Sequence, residues 1–429
     1  MKRLLLALSS SAVVLAACSG SGGEDSSSEG NDGGDSTKTL TAWAWNINIP
    51  VMEEAAERFA EENPGFELDI REQGTPDVYE QITTGLQAQG EGLPDIMLIE
   101  DDRVQGYLNN FSDAFLALDE YGFQEEHGDK FPEFKNELLT LDGSTYGMPF
   151  DAGPGGVFYR TDLFEEAGID AEEIETWDDF IEAGHVLRDE LDVAMTGIDI
   201  NNDDGVYRMM LNQQGTFYFD EEDNIHLTSD ESVRAMEVVQ TLDEEGLNEN
   251  LVGWDAWLAG LADGTVATAP SGAWLTGSLI EQAPDLEGKW GVFPLPAFEE
   301  GGNRAANLGG SNFMINADTE NPDLAYEFME FFSTSEDVQL TAMEGGLFPS
   351  LNTIYDEEAF TEPVAYFGDQ QIWDMFAGMM DEIPPANYTG DYSVARDEAE
   401  TAQSEVAEGN DVQEALESAA ERLSNRINN

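Results

Sequence analysis

A chain of 429 residues is too long for one compact core and predicts two domains or more. Its formal net charge of −73, from 90 acidic and 17 basic residues, excludes nucleic acid and anionic lipid surfaces as partners, because both are repelled by such a surface. The hydrophobic share of 41% is enough for real cores, so most of the charge must lie outside them, where carboxylates stay hydrated. Self-repulsion on this scale is screened by salt, so a saline or alkaline medium is expected.

Met1-Lys2-Arg3 is basic, residues 4–15 are apolar, and Leu15-Ala16-Ala17-Cys18 ends in small residues and a cysteine. Residues 1–17 therefore read as a signal peptide, too short to span a bilayer. The site resembles the lipobox of bacterial lipoproteins, which implies lipidation at Cys18 and a protein anchored to the outer face of the cell membrane. An ordinary secretory cut with an incidental thiol is the alternative. Cys18 is the only cysteine, so the body can hold no disulfide, Cys-based metal site or Cys nucleophile. From 18 to 37 the chain is mostly Ser, Gly, Asp and Glu with no large apolar residue, and reads as a flexible tether. No later segment is long and apolar enough to cross a membrane.

Residues 40–45 predict a first strand, and Val51, Met52, Ala55, Ala56, Phe59 and Ala60 recur at helical spacing until Asn63-Pro64-Gly65. Phe66, Leu68 and Ile70 alternate as a second strand, Tyr79, Ile82 and Leu86 mark a second helix, and residues 95–99 form an apolar strand of the buried, parallel kind. Strand, helix, strand, helix, strand predicts a doubly wound α/β lobe whose ligands sit beyond the strand ends. Those ends are Trp43-Ala44-Trp45-Asn46 and Glu100-Asp101-Asp102-Arg103.

Residues 146–163 combine Pro149, Asp151 and the run Gly153-Pro154-Gly155-Gly156, and predict an extended crossing followed by a turn and a short strand at 157–159. Thr176 caps a helix to about Glu190, residues 230–245 form another, and Trp254 and Trp257 begin a short helical piece. Residues 267–274 are a strand leading into a glycine turn, and 289–295 a strand ended by Pro294 and Pro296, a second crossing. Asn321-Pro322 opens a strong helix, a third crossing is expected near Glu336, and residues 412–423 close the chain at helical period.

Residues 43–48, 94–103, 146–163, 271–274 and 309–337, in that order and spacing, resemble the extracellular solute-binding proteins of family 1, the maltose-binding-like group that serves sugar ABC importers. The resemblance covers about residues 40–429. It implies an α/β, two-lobed periplasmic-binding-protein-like fold of type II with three hinge crossings. The lobes are then 38–149 plus 295–337, and 150–294 plus 338–429. It also implies a sugar in the cleft, closure by hinge bending, ABC permease subunits as partners, and a monomer. By the same resemblance Asp102-Arg103 match an acidic-Arg pair for sugar hydroxyls, Asp151 a hinge carboxylate and Trp274 an aromatic platform. Trp45, Asn46 and Asn48 match a loop of polar contacts with different residue types, and Tyr388, Tyr392 and Arg396 a C-terminal region without clean register.

The chemistry is consistent with that assignment, since a sugar offers an apolar ring face for Trp or Tyr and a belt of hydroxyls for Asp, Asn and Arg. Few basic residues remain to line a cleft for phosphates or organic acids, so the expected ligand is a neutral sugar. Each candidate keeps its plainer reading. Asp102-Arg103 can be a strand-end ion pair, and Asp151 a cap on a glycine turn. Trp254 and Trp257 can be one buried face, though at least one is expected in the cleft together with Tyr207, while Trp177 and Trp290 are expected in the core. Asp199-x-Asn201-x-Asp203 departs from a calcium loop at Asp204 and Met210, so no metal is expected. No cofactor is expected either, because Gly153-Pro154-Gly155-Gly156 is not a phosphate loop. His127, His185 and His226 form no zinc motif. The expectation is a non-catalytic receptor. A lipid-anchored glycoside hydrolase needs only two carboxylates and stays as an alternative, as does a receptor for a non-sugar solute.

Overall fold

The computed structural model describes residues 38–45, 48–72 and 75–428; the signal peptide, the tether, Cys18 and Asn46 lie outside them. Strands β1 (Lys38–Ala44), β2 (Phe66–Glu72) and β3 (Ile96–Glu100) are parallel, with β1 between the other two. The helices Asn48–Glu62 and Thr75–Gln87 connect them, as the periodicity predicts. Leu40, Ala42 and residues 96–99 are buried, as a strand covered on both faces requires. A short hairpin, β4 (Thr140–Leu141) and β5 (Ser144–Thr145), precedes the strand on which the molecule depends.

That strand is β6 (Gly147–Arg160), 14 residues without interruption. Its first half pairs antiparallel with β9 (Asn307–Ile315), which itself pairs with β3. Its second half pairs with β7 (Thr268–Gly272) and β8 (Trp290–Pro294). The last strand, β10 (Phe348–Pro349), joins at Ala152 and Asp151. One eight-stranded sheet thus runs through both halves of the chain.

The expected turn at the glycine run is absent. Those glycines lie inside the strand because neighbouring backbone and side chains come too close for a Cβ. At Gly153 one would stand 2.0 Å from the Leu308 carbonyl oxygen, and at Gly155 2.9 Å from Leu295. Pro149 and Pro154 are accommodated by register shifts against β9, where a ladder donor is not needed.

Aromatic packing closes both halves. Phe59 meets Phe66 and Phe328 edge-on, and Phe158 packs on Phe367 and Phe376. Trp177 and Trp290 are core residues, as expected. The Thr176 side chain and Asp179 form the reciprocal cap of the helix Trp177–Leu191. Residue 337 lies inside the helix Glu336–Glu344, which packs on the first half through Arg58 and Asp337, 3.5 Å apart. The chain pairs with β6 again at β10.

Candidate functional site

The ends of β3, β7 and β9, the middle of β6 and two helix faces surround one cavity of about 1280 Å³. This exceeds the ~300–1,000 Å³ of pockets for drug-sized ligands. Of the sequence candidates, Trp45, Asn48, Asp102, Arg103, Asp151, Trp254, Trp274 and Arg396 all line it, although they come from every part of the chain.

One wall is aromatic. Trp254 and Trp257 project from the first turn of the helix Trp254–Asp263, and Trp274 follows β7. Their ring centroids are 5.5 to 6.5 Å apart. Trp274 donates its indole N–H to the Leu308 carbonyl at 2.8 Å, which fixes the ring at the edge of β9. Trp254 stays 49% exposed, unusual for so large an apolar group unless something covers it.

The facing wall is charged. The helix Asp101–Phe111 starts directly after β3, so Asp101 and Asp102 occupy its first turn, where the helix dipole favours anions. Asp102 and Arg103 stand 3.5 Å apart. Asn48 donates to the Trp45 carbonyl, and its own side-chain oxygen has no partner. Burial, reinforced by the Asp102 charge, pushes the Glu100 carboxyl up to about 7.

The floor is buried. Lys135, fully enclosed, donates to Asp101 at 2.5 Å, and Asn312 donates to the same carboxylate oxygen at 2.8 Å. Beside them Asp151 is 4% exposed, and its Oδ1 makes no hydrogen bond. Burial pushes its carboxyl up to about 7 against the pull of Lys135. Gly310, at φ +101°, adds no side chain here; a Cβ would meet Asp101 and the Asp151 backbone at 2.9 Å. Among the described residues nothing donates to Asp151 Oδ1, so the floor holds one carboxylate oxygen without a hydrogen bond.

The remaining side is built on Asp204. Buried, it accepts from the Tyr218 hydroxyl and lies 3.1 Å from Arg208 and 3.3 Å from Arg396. Arg396 also meets Glu400 at 3.0 Å and approaches Asp102 to 4.0 Å. Both arginines line the cavity already neutralised, which disfavours an anionic ligand.

Two candidates do not line the cavity. Tyr207 is fully buried, with its hydroxyl 2.6 Å from Ser232. The helix Gly205–Gln213 turns its successor Arg208 toward the cavity instead. Tyr392 is buried behind the wall, stacked on Tyr218 at 5.7 Å, where its hydroxyl accepts from Arg208; Tyr388 lines the cavity in its place. Sequence reasoning missed Arg208, Lys135 and Asp204. In a chain so poor in bases, a lone Lys or Arg inside an apolar run was the available signal.

Among the described residues no helix is long and apolar enough to cross a membrane. A sheet running through both halves borders a cavity lined by three indoles and by carboxylate, amide and guanidinium groups. The chain belongs to the bacterial extracellular solute-binding protein family, whose model matches residues 44–339. It is a binding protein of the ABC-transporter class and not an enzyme. The lactose-binding protein of Rhizobium radiobacter is 34% identical over 90% of this chain and 93% of its own length. The arabinooligosaccharide-binding protein of Halalkalibacterium halodurans is 28% identical over 83% and 81%. A solved ABC transporter associated binding protein from B. animalis subsp. lactis Bl-04, in complex with β-1,6-galactobiose, superposes with a TM-score of 0.75 at 25% identity, covering 90% of this chain and 97% of that one. The fold is thus the expected type II α/β fold.

Proposed function

We propose that this protein captures a neutral oligosaccharide in the cavity and delivers it to the permease subunits of an ABC importer. The pairing of a three-indole wall with a wall of carboxylates and neutralised arginines carries this reading. Rings cover sugar faces while the charged groups take hydroxyls in fixed planes. The printed names of the relatives and the galactobiose of the solved neighbour point to the same class of ligand. The ligand contacts are Trp45, Asn46, Asn48, Asp102, Arg103, Asp151, Trp254, Trp274 and Arg396, with Trp257, Arg208 and Tyr388 added and Tyr207 and Tyr392 moved behind them.

In this reading the lobes are 38–149 with 295–337 and 150–294 with 338–429, except that the third crossing shifts to β10. The ligand shifts an open-closed equilibrium by touching both lobes only when they close. The protein works as a monomer, tethered through lipidated Cys18 outside the cell membrane, in a medium salty enough to screen its acidic surface. Calorimetry of residues 38–429 with lactose, arabinotriose and β-1,6-galactobiose is the test. Saturable heat with no product supports the proposal; heat from a peptide or organic acid and none from any sugar overturns the substrate class. Cys18→Ser should move the full chain from the membrane to the soluble fraction.

A further inference from the structure

Tyr79 is not among the side chains that line the cavity, yet it touches lining residues on three separate elements. It stands on the helix Thr75–Gln87, half-buried behind the charged wall. Its hydroxyl donates to Glu100 Oε2 at 2.9 Å and accepts the Glu100 backbone N–H at 3.1 Å. One phenol thereby fixes both the last peptide of β3 and the side chain it carries. The ring meets Trp45 nearly edge-on, with centroids 5.8 Å apart and planes at 60°. The Arg103 guanidinium lies 5.1 Å from the ring centroid, within cation–π range. The same guanidinium reaches Asp102 through Nε, at 3.5 Å.

We infer that Tyr79 is the positioning residue of the charged wall, setting Trp45, Glu100 and Arg103 in register for a sugar that Tyr79 itself does not touch. This rests on the cavity being the ligand site. The physical case is that three side chains from a strand end, another strand end and a helix turn have no direct bond to one another that would set their spacing. Among the described residues Asp102 is the other side chain paired with Arg103, at 3.5 Å. A ligand meeting three loose groups loses the entropy of ordering each, and Tyr79 removes that loss before binding.

Two variants separate its parts. Tyr79→Phe keeps the ring and removes only the hydroxyl; Tyr79→Leu removes both. Without ligand, NMR titration should show the Glu100 midpoint moving to higher pH in Tyr79→Phe. The hydroxyl opposes the upward push of burial and of Asp102 and Asp101, and Arg103 is the other group that does so. The Trp45 indole signal should stay in place in Tyr79→Phe and move in Tyr79→Leu, with a larger Glu100 shift as Arg103 is released. Thr83→Val, one turn along and facing Tyr107 rather than the cavity, should change neither. Affinity for lactose or β-1,6-galactobiose should fall about fivefold in Tyr79→Phe and roughly thirtyfold in Tyr79→Leu. Unchanged Glu100 and Trp45 signals in both Tyr79 variants overturn the inference. If Trp274→Ala leaves sugar binding intact, the cavity reading fails instead, and the ligand-free signals still decide the role of Tyr79.

Discussion

The two walls of the cavity are built on opposite principles. The aromatic wall is loosely held: Trp254, Trp257 and Trp274 touch one another, and one hydrogen bond, from Trp274 to Leu308, ties the group to the sheet. The charged wall and its floor are fixed by the buried bonds of Lys135 and Asn312 to Asp101 and by the part-buried bond of Tyr79 to Glu100. Apolar stacking is tolerant of direction, whereas hydrogen bonds to hydroxyls are not. The first wall should therefore supply most of the affinity, and the second most of the discrimination between sugars.

The largest effect should come from the floor. Lys135→Met leaves Asp101 and Asp151 buried without their cation, and should cost about 3–5 kcal/mol of stability, read by urea unfolding. A loss under 1 kcal/mol would contradict the view that this wall is prebuilt. Next, Trp274→Ala should weaken sugar binding by about 2 kcal/mol, roughly thirtyfold, for every sugar that binds. Asp102→Ala should cost about tenfold, but only for sugars that carry the hydroxyl it meets. Equal losses across a deoxy-sugar series in both variants would erase the distinction between the walls.

A further effect is in pH. Glu100 and Asp151 titrate near 7 when folded and roughly at 4 when unfolded. The folded chain binds more protons between those values. Stability from these groups is full below about pH 4 and is lost as pH rises through 7. Ligand hydroxyls donate best to the ionised forms, so affinity should instead rise, by up to about tenfold from pH 6 to 8. Melting temperature without sugar, and calorimetry with it, should have opposite pH slopes.

Much of this was legible in the residues. Alternation and helical spacing marked β2 and the helices beside it, because each buries one apolar face and exposes the other, while the continuous apolar run marked β3. Trp274, Asp102 and Arg396 were named before the fold was known, Asp102 from its place at a strand end and the other two through the family resemblance, and all three line the cavity. The continuous β6 was not, because glycine and proline signal a turn unless one knows that Leu308 presses against them. Tyr207 failed because one step along a helix turns a side chain by about 100°, and residue type does not show which of two neighbours faces the cavity. The helix Tyr392–Ala407 was missed for another reason. Its inward stripe holds Glu398, buried because Arg422 and Arg426 reach it from the next helix at 2.5 and 3.0 Å. A carboxylate in an apolar stripe hides the period.

The indole cluster has an optical consequence. Three of the eight tryptophans sit within 6.5 Å of one another, close enough for their transition dipoles to couple. One of them is half in solvent and another bonded to a carbonyl. Any molecule that slides over this wall changes the angles, hydration and energy transfer of the group together. Near-ultraviolet circular dichroism and tryptophan emission should therefore report occupancy of the unlabelled protein, and should do so at the wall where the weight of binding falls.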